Sequence, residues 1–226
     1  MMTVGVAGAT GYMGAELLRL LLVHPKVRIS TVMASERSAG MPVERLIPSL
    51  RGQLPLTVEV LDAERLAAEA ECVFLALPHG ETHRVVSVLR RRGRRVVDLS
   101  ADYRLRNAAE FEAWYKTPHG DPGGLAEAVY GLPELHRKAI AAAALVANPG
   151  CYAAGALLAV VPLIKAGLGM IDGLVIDGKS GVTGAGRRRI SRTPCTSTPR
   201  RTRTSRPTRS RSIGTRPRSS RSLPVW

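Results

Sequence analysis

Cysteine is scarce in this sequence, acidic residues stop well before its end, and no apolar run is long. The three cysteines, Cys72, Cys151 and Cys195, are odd in number and widely spaced, which argues against both a disulfide framework and a paired-thiolate metal site. Apolar stretches are broken by Gly, Pro or charge well short of the ~18 residues a membrane helix needs. No basic leader precedes an apolar core at the N-terminus, so the expectation is a soluble, cytoplasmic protein with no membrane partner. With 226 residues, 45% of them hydrophobic and 23% charged, a wholly disordered chain is excluded and there is material for one full core or two small ones.

The missing acid is a local feature. From Arg187 to Trp226 there are 13 Arg, no Lys and no Asp or Glu, whereas residues 1–186 hold 20 basic against 18 acidic side chains, a net of +2. The overall charge of +15 therefore describes one end and not the body. Those last 40 residues also hold 15 Ser or Thr and 5 Pro with almost no apolar periodicity, a composition that cannot offset the entropy of ordering a chain.

In the body, Thr3 to Gly8 is a short apolar run, Ala9-Thr10-Gly11-Tyr12-Met13-Gly14 follows, and Ala15 to Val23 has a helical pattern. The expectation is strand, glycine turn, helix. Glycines 8, 11 and 14 would let backbone amides approach a pyrophosphate and let the helix close on its strand. Val27 to Met33, Thr57 to Val60, Cys72 to Leu77 and Arg95 to Leu99 read as strands, with helices at Ala63 to Glu69 and Glu81 to Arg91. Alternating strands and helices imply a doubly wound parallel α/β sheet, with ligands beyond the carboxyl ends of the strands. At the end of the second strand, Ser35, Arg37 and Ser38 suit a ribose 2′-phosphate and so favour NADP over NAD, against the opposing Glu36.

After a helical stretch near Glu134 to Ala144, the strand Leu145 to Ala147 runs into Asn148-Pro149-Gly150-Cys151-Tyr152 and a helix from Ala153 to Lys165. Cys151 is thus expected at a helix N-terminus, where partial positive charge favours a thiolate and free amides can stabilise an oxyanion. A thiol beside a nicotinamide can reduce an acyl group through a thioester. His24, His83 and His136 are expected at the surface, His119 in a loop, and Arg90 to Arg95 at a solvated helix end. None of the histidines has a second metal ligand at useful spacing.

Together, Val6 to Gly14, Ala76-Leu77-Pro78-His79-Gly80, Asp98-Leu99-Ser100-Ala101-Asp102-Tyr103-Arg104, Tyr130-Gly131-Leu132-Pro133-Glu134, Asn148 to Tyr152 and Lys179 to Gly186 resemble the N-acetyl-gamma-glutamyl-phosphate reductases of arginine biosynthesis, over residues 1 to about 188. The resemblance implies an NADP-binding domain at 1–147, the start of an α+β substrate domain at 148–188, and a homo-oligomer. It implies NADPH-dependent reduction of an acyl phosphate, with Cys151 as nucleophile and Arg104 and Asn148 toward the substrate. Gly8, Thr10, Gly11, Tyr12, Met13, Gly14, Ser35, Arg37, Ser38, Pro78, Ser180, Gly181 and Gly184 would line the cofactor, the last three in a glycine loop after a strand at Leu174 to Asp177. Rival readings are a lysine-biosynthesis aminoadipyl-phosphate reductase, an aspartate-semialdehyde dehydrogenase, and a dinucleotide domain carrying a nucleic-acid-binding arm.

Residues 189–226 do not resemble that family, whose members carry a general-base histidine in the form H-R-H-T-P-E-I-E-Q-E-L. Ser212 to Leu223 can be encoded so that the reading frame beginning at the third base spells that same motif. The tail is therefore expected to be the product of a frameshift near Arg189, disordered and without a nucleic-acid role.

Overall fold

The computed structural model describes residues 1–168, 173–179 and 181–186. Strand β1 (Met2–Ala7) leads through helix α1 (Tyr12–Leu22) to β2 (Val27–Ala34), which lies parallel to β1. A 3-10 turn at Glu36–Ser38 and the short helix α2 (Val43–Leu46) then lead to β3 (Glu59–Val60), alongside β2. Helix α3 (Ala63–Glu69) begins at Asp62, whose carboxylate accepts the free amides of Glu64 and Arg65. It crosses to β4 (Cys72–Leu75) on the other side of β1, and α4 (Thr82–Arg91) leads on to β5 (Arg95–Asp98). Two helices follow, α5 (Ala108–Tyr115) and α6 (Pro122–Glu127), then strand β6 (Val129–Tyr130), helix α7 (Pro133–Ala142), strand β7 (Leu145–Ala147) and helix α8 (Cys151–Lys165).

All pairings are parallel and the order is β3-β2-β1-β4-β5-β7-β6. The chain moves outward from β1 in one direction, then restarts at β4 and moves in the other. This is the doubly wound sheet expected, and its switch point lies between β1 and β4. Period-two alternation splits the core between the two faces. Val4 and Val6 join Leu18 and Leu21 of α1, while Val73 and Leu75 join Leu66 of α3 and Val86 and Leu89 of α4.

Several boundaries differ from the sequence reading. Only Glu59–Val60 of the Thr57 to Val60 stretch joins the sheet, because Thr57 is bridged to Pro42 instead. The strand from Cys72 ends at Leu75, and α4 begins at Thr82, one residue after the expected start. Helix α8 begins at Cys151 itself, with Gly150 as its N-cap. Residues 174–177 form no strand: with no strand beside them among the described residues, Leu174, Val175 and Ile176 are exposed and irregular. The glycine stretch beyond them is a 3-10 turn at Val182–Ala185. Residues 189–226 and Ser180 lie outside the described residues.

Candidate active site

The glycine turn is wedged into the switch point. The amides of Gly8 and Ala9 donate to the carbonyl of Met33 at the end of β2, while Gly8 abuts the backbone just past β4. A Cβ on Gly8 would stand 2.2 Å from the Ala76 carbonyl oxygen, at a backbone φ of +79°, and one on Gly14 would stand 2.4 Å from the Gly8 carbonyl. The fold itself demands glycine at both. Gly11 is different, because a Cβ there would meet only the Gly8 carbonyl at 3.6 Å, an ordinary contact. It is also the N-cap of α1 and offers no side chain to the first-turn amides. Those amides, with Tyr12 and Met13 exposed beside them and Thr10 half-buried, form a cradle that a side chain would narrow and a phosphate would fit. Ser35 and Arg37 are exposed at the end of β2 and Ser38 is half-buried, all on the 3-10 turn next to the strand that supports Gly8. Pro78 is exposed past the end of β4.

The second half of the site stands beyond β5 and β7. Cys151 is exposed and free at the first position of α8, a fifteen-residue helix. Cys72, in contrast, is buried in β4, and desolvation pushes its thiol up to about 11, which leaves it protonated and inert at neutral pH. Cys195 lies outside the described residues. Arg104 ties the segment before Cys151 to the end of β5: its Nε donates to the carbonyl of Asn148 at 2.8 Å and its Nη2 to that of Leu99 at 3.0 Å. Its Nη1 lies 3.1 Å from where a Cβ on Gly150 would be. The Asn148 amide nitrogen donates to the neighbouring carbonyl of Pro149, and its backbone amide donates to the carbonyl of Asp98. Both substrate-side candidates are thus engaged with backbone, and Arg104 keeps its Nη1 on the Cys151 side. Gly178 lies against the ring of Tyr152, the residue after Cys151. Gly181 and Gly184 are exposed.

Sequence reasoning assigned no role to the buried polar residues between these halves. Asp98, Ser100, Asp102 and Thr82 are each 1% exposed or less. Asp102 caps α4 from outside it, accepting the amides of Gly80 at 2.7 Å and Thr82 at 3.2 Å. Burial pushes the Asp98 carboxyl up to about 6, with the Asp102 charge adding to it and hydrogen bonds from Ser100 opposing. The signal was legible in the motif itself, since acids at the end of a buried strand need partners. His119 is likewise more than a loop residue. It is buried edge-on against Tyr103 and Phe111, and desolvation lowers its pKa. The apolar faces of α5 and of the Tyr103 loop enclose it, which its polar neighbours in sequence concealed.

Residues 3–143 match the family described as semialdehyde dehydrogenase, NAD binding domain. The chain belongs to the semialdehyde dehydrogenase family. Its residues 151–204 match the companion described as semialdehyde dehydrogenase, dimerisation domain, a match that runs past residue 188, where the motif resemblance stops. This family member is 50% identical over 187 residues to the N-acetyl-gamma-glutamyl-phosphate reductase of Geobacter sulfurreducens and 49% identical over 187 residues to that of Moorella thermoacetica. It is 50% identical over 188 residues to that of Pseudomonas aeruginosa, and each match covers 83% of this chain and 54% of the relative. The chain thus spans about half the length of the curated relatives it matches. Among solved structures, aspartate semialdehyde dehydrogenase with NADP from Candida albicans aligns with a TM-score of 0.55 at 19% identity, over 75% of this chain and 48% of that one. Aspartate semialdehyde dehydrogenase II complexed with ASA from Vibrio cholerae aligns at 0.52 and 22%, over 74% and 47%. At such identities these two speak to the fold alone. Among the described residues no helix is long and apolar enough to cross a membrane.

Proposed function

We propose that this chain carries the dinucleotide-binding and nucleophile-bearing half of an NADPH-dependent reductase of N-acetyl-gamma-glutamyl phosphate. The observation that carries the reading is Cys151, exposed at the start of α8 with the Arg104 guanidinium against the residue before it. The 50% identity to reductases of that name supports the substrate. The Cys151 thiolate attacks the acyl carbon, the carbon to phosphate-oxygen bond breaks, and inorganic phosphate leaves with its electron pair. Amides of the first turn of α8 and the free edge of Arg104 stabilise the developing oxyanion and the leaving phosphate. The dinucleotide, when bound, supplies the hydride that reduces the acyl group. The amides of Tyr12 to Gly14 hold its pyrophosphate, while Ser35, Arg37 and Ser38 hold the 2′-phosphate that distinguishes NADP. By the same reading Ser180, Gly181 and Gly184 would line the cofactor. Once its carbon is reduced, the thioester would release the Cys151 sulfur as the thiolate and free the semialdehyde.

The reading extends to the tail. The dimerisation-domain match ends at residue 204, and within residues 189–226 the stretch that can spell the family's histidine motif out of frame is read as the product of a shifted reading frame. Arg and Ser/Thr density there then reflects translation and carries no nucleic-acid function. Nucleotide sequencing across codons 185–226 tests it: codons that spell the histidine motif from the third base are expected, and codons incompatible with it overturn the frameshift. Alkylation with peptide mapping tests the nucleophile, with Cys151 expected to react in the folded chain and Cys72 to stay intact. Reaction of Cys72 with Cys151 spared would reverse the assignment.

A further inference from the structure

Four buried side chains form a chain of oxygen contacts. Asp98 Oδ2 lies 2.7 Å from Ser100 Oγ, Ser100 Oγ lies 3.2 Å from Thr82 Oγ1, and Thr82 Oγ1 lies 2.7 Å from Asp102 Oδ2. Those three contacts need three protons, and the two hydroxyls supply only two. With both carboxyls ionised, Ser100 donates to Asp98 and Thr82 to Asp102, which leaves the Ser100 and Thr82 oxygens facing one another with no proton between them. Two carboxylates would also be buried together while the cation beside Asp98, Arg104, is turned to the Leu99 and Asn148 carbonyls.

We infer that Asp98 keeps its proton to a higher pH than an ordinary carboxyl does and, while it holds it, feeds a hydrogen-bonded relay, from Asp98 to Ser100 to Thr82 to Asp102, that positions the Pro78-His79-Gly80 turn between β4 and α4. A proton on Asp98 Oδ2 donates to Ser100, the Ser100 hydroxyl turns to Thr82, and Thr82 donates to Asp102. Every donor and acceptor then has a partner: Asp98 Oδ1 accepts the Ser100 amide, Ser100 Oγ also accepts the Asp102 amide, and Asp102 accepts Gly80 and Thr82. The Thr82 hydroxyl is also 3.5 Å from Asp98 Oδ2, too long to compete. Through Asp102 the proton on β5 sets the amides of Gly80 and Thr82. On the other side of the turn, His79 Nδ1 accepts the Ala101 amide. Asp98 and Asp102 are the positioning residues, and the groups facing them are Tyr103 and Arg104 from their own loop, His79 from the turn, and His119 from the segment before α6. From α4 the facing group is Thr82. This relay does not depend on the reaction proposed above.

Carboxyl NMR of the full chain carrying ¹³C-aspartate, titrated through about pH 4 to 8, tests it, with the Asp98 signal assigned by its loss in Asp98→Asn. The Asp98 carbon is expected to titrate at about 6, and the Gly80 and Thr82 amides to shift with the same midpoint. In Asp98→Asn the amide of Asn donates to Ser100 in the proton's place, so the Gly80 and Thr82 amides should stay at their low-pH positions throughout. In Ser100→Ala they should cease to follow Asp98. An Asp98 that ionises in the ordinary range near ~3.9, or loop amides that ignore its titration in the wild-type chain, would overturn the inference. The wild-type titration decides alone if Ser100→Ala does not fold.

Discussion

Arg104 and Gly150 meet where the loops after β5 and β7 converge: the guanidinium Nη1 lies 3.1 Å from the point at which a side chain on Gly150 would start. The same guanidinium donates to Asn148 and Leu99 carbonyls, so one planar cation fixes the approach to Cys151 against the end of β5. A lysine has no fork and cannot make this set of bonds. Arg104→Lys should lower stability by about 1–3 kcal/mol, the range for hydrogen bonds to a charged group, and slow Cys151 alkylation. Urea unfolding and the alkylation rate check both, and an unchanged rate would mean that Arg104 does not place the thiol.

The three glycines of the first turn should separate by mechanism. Gly8→Ala and Gly14→Ala each drive a Cβ into backbone carbonyl, at 2.2 and 2.4 Å. They should destabilise the fold by more than about 2 kcal/mol, as overpacking against rigid atoms does. Gly11→Ala meets nothing closer than 3.6 Å, so stability should move by under about 1 kcal/mol while NADPH affinity falls at least about tenfold. Melting and fluorescence titration of NADPH give the two readouts.

Much of this was legible in sequence, for reasons that can be located. The parallel sheet follows from apolar runs separated by helical patterns, and the range Leu145–Ala147 of β7 emerged unchanged because Asn148-Pro149 stops it sharply. Cys151 reads as a helix start because Pro149-Gly150 precedes a small-residue run, Ala153 to Ala156, that opens the helix. Leu174 to Asp177 failed because an apolar run becomes a strand only when another strand pairs with it, and here none does among the described residues. The Asp98 relay failed to show because its partners Thr82 and Asp102 meet only through the β4 to β5 crossover.

Asp98 also makes a thermodynamic prediction with a definite sign. Its folded pKa of about 6 lies above the unfolded value, so its contribution is fully present below ~pH 4 and is lost as pH rises toward 6. Relative to Asp98→Asn, the wild-type chain should lose about 2 kcal/mol between pH ~4 and ~7. Parallel stability curves for the two proteins across that window would contradict it.

Helix α8 buries none of its residues, and Leu158, Leu163, Leu174, Val175 and Ile176 are exposed. Exposed apolar side chains of this number bind hydrophobic dyes. Leu158→Gln with Leu163→Gln should reduce dye fluorescence several-fold while changing stability by under about 1 kcal/mol, as surface substitutions do. A loss of several kcal/mol would mean that these leucines are covered in solution.

The central claim is a thioester at Cys151, and its most direct test uses the reverse reaction in the enzyme with its reading frame restored. N-acetylglutamate semialdehyde and NADP, mixed without phosphate, should yield a burst of one NADPH per active chain and an acyl adduct on the Cys151 peptide that added phosphate discharges. Undiminished turnover in Cys151→Ala, or an adduct on any other residue, would contradict the account.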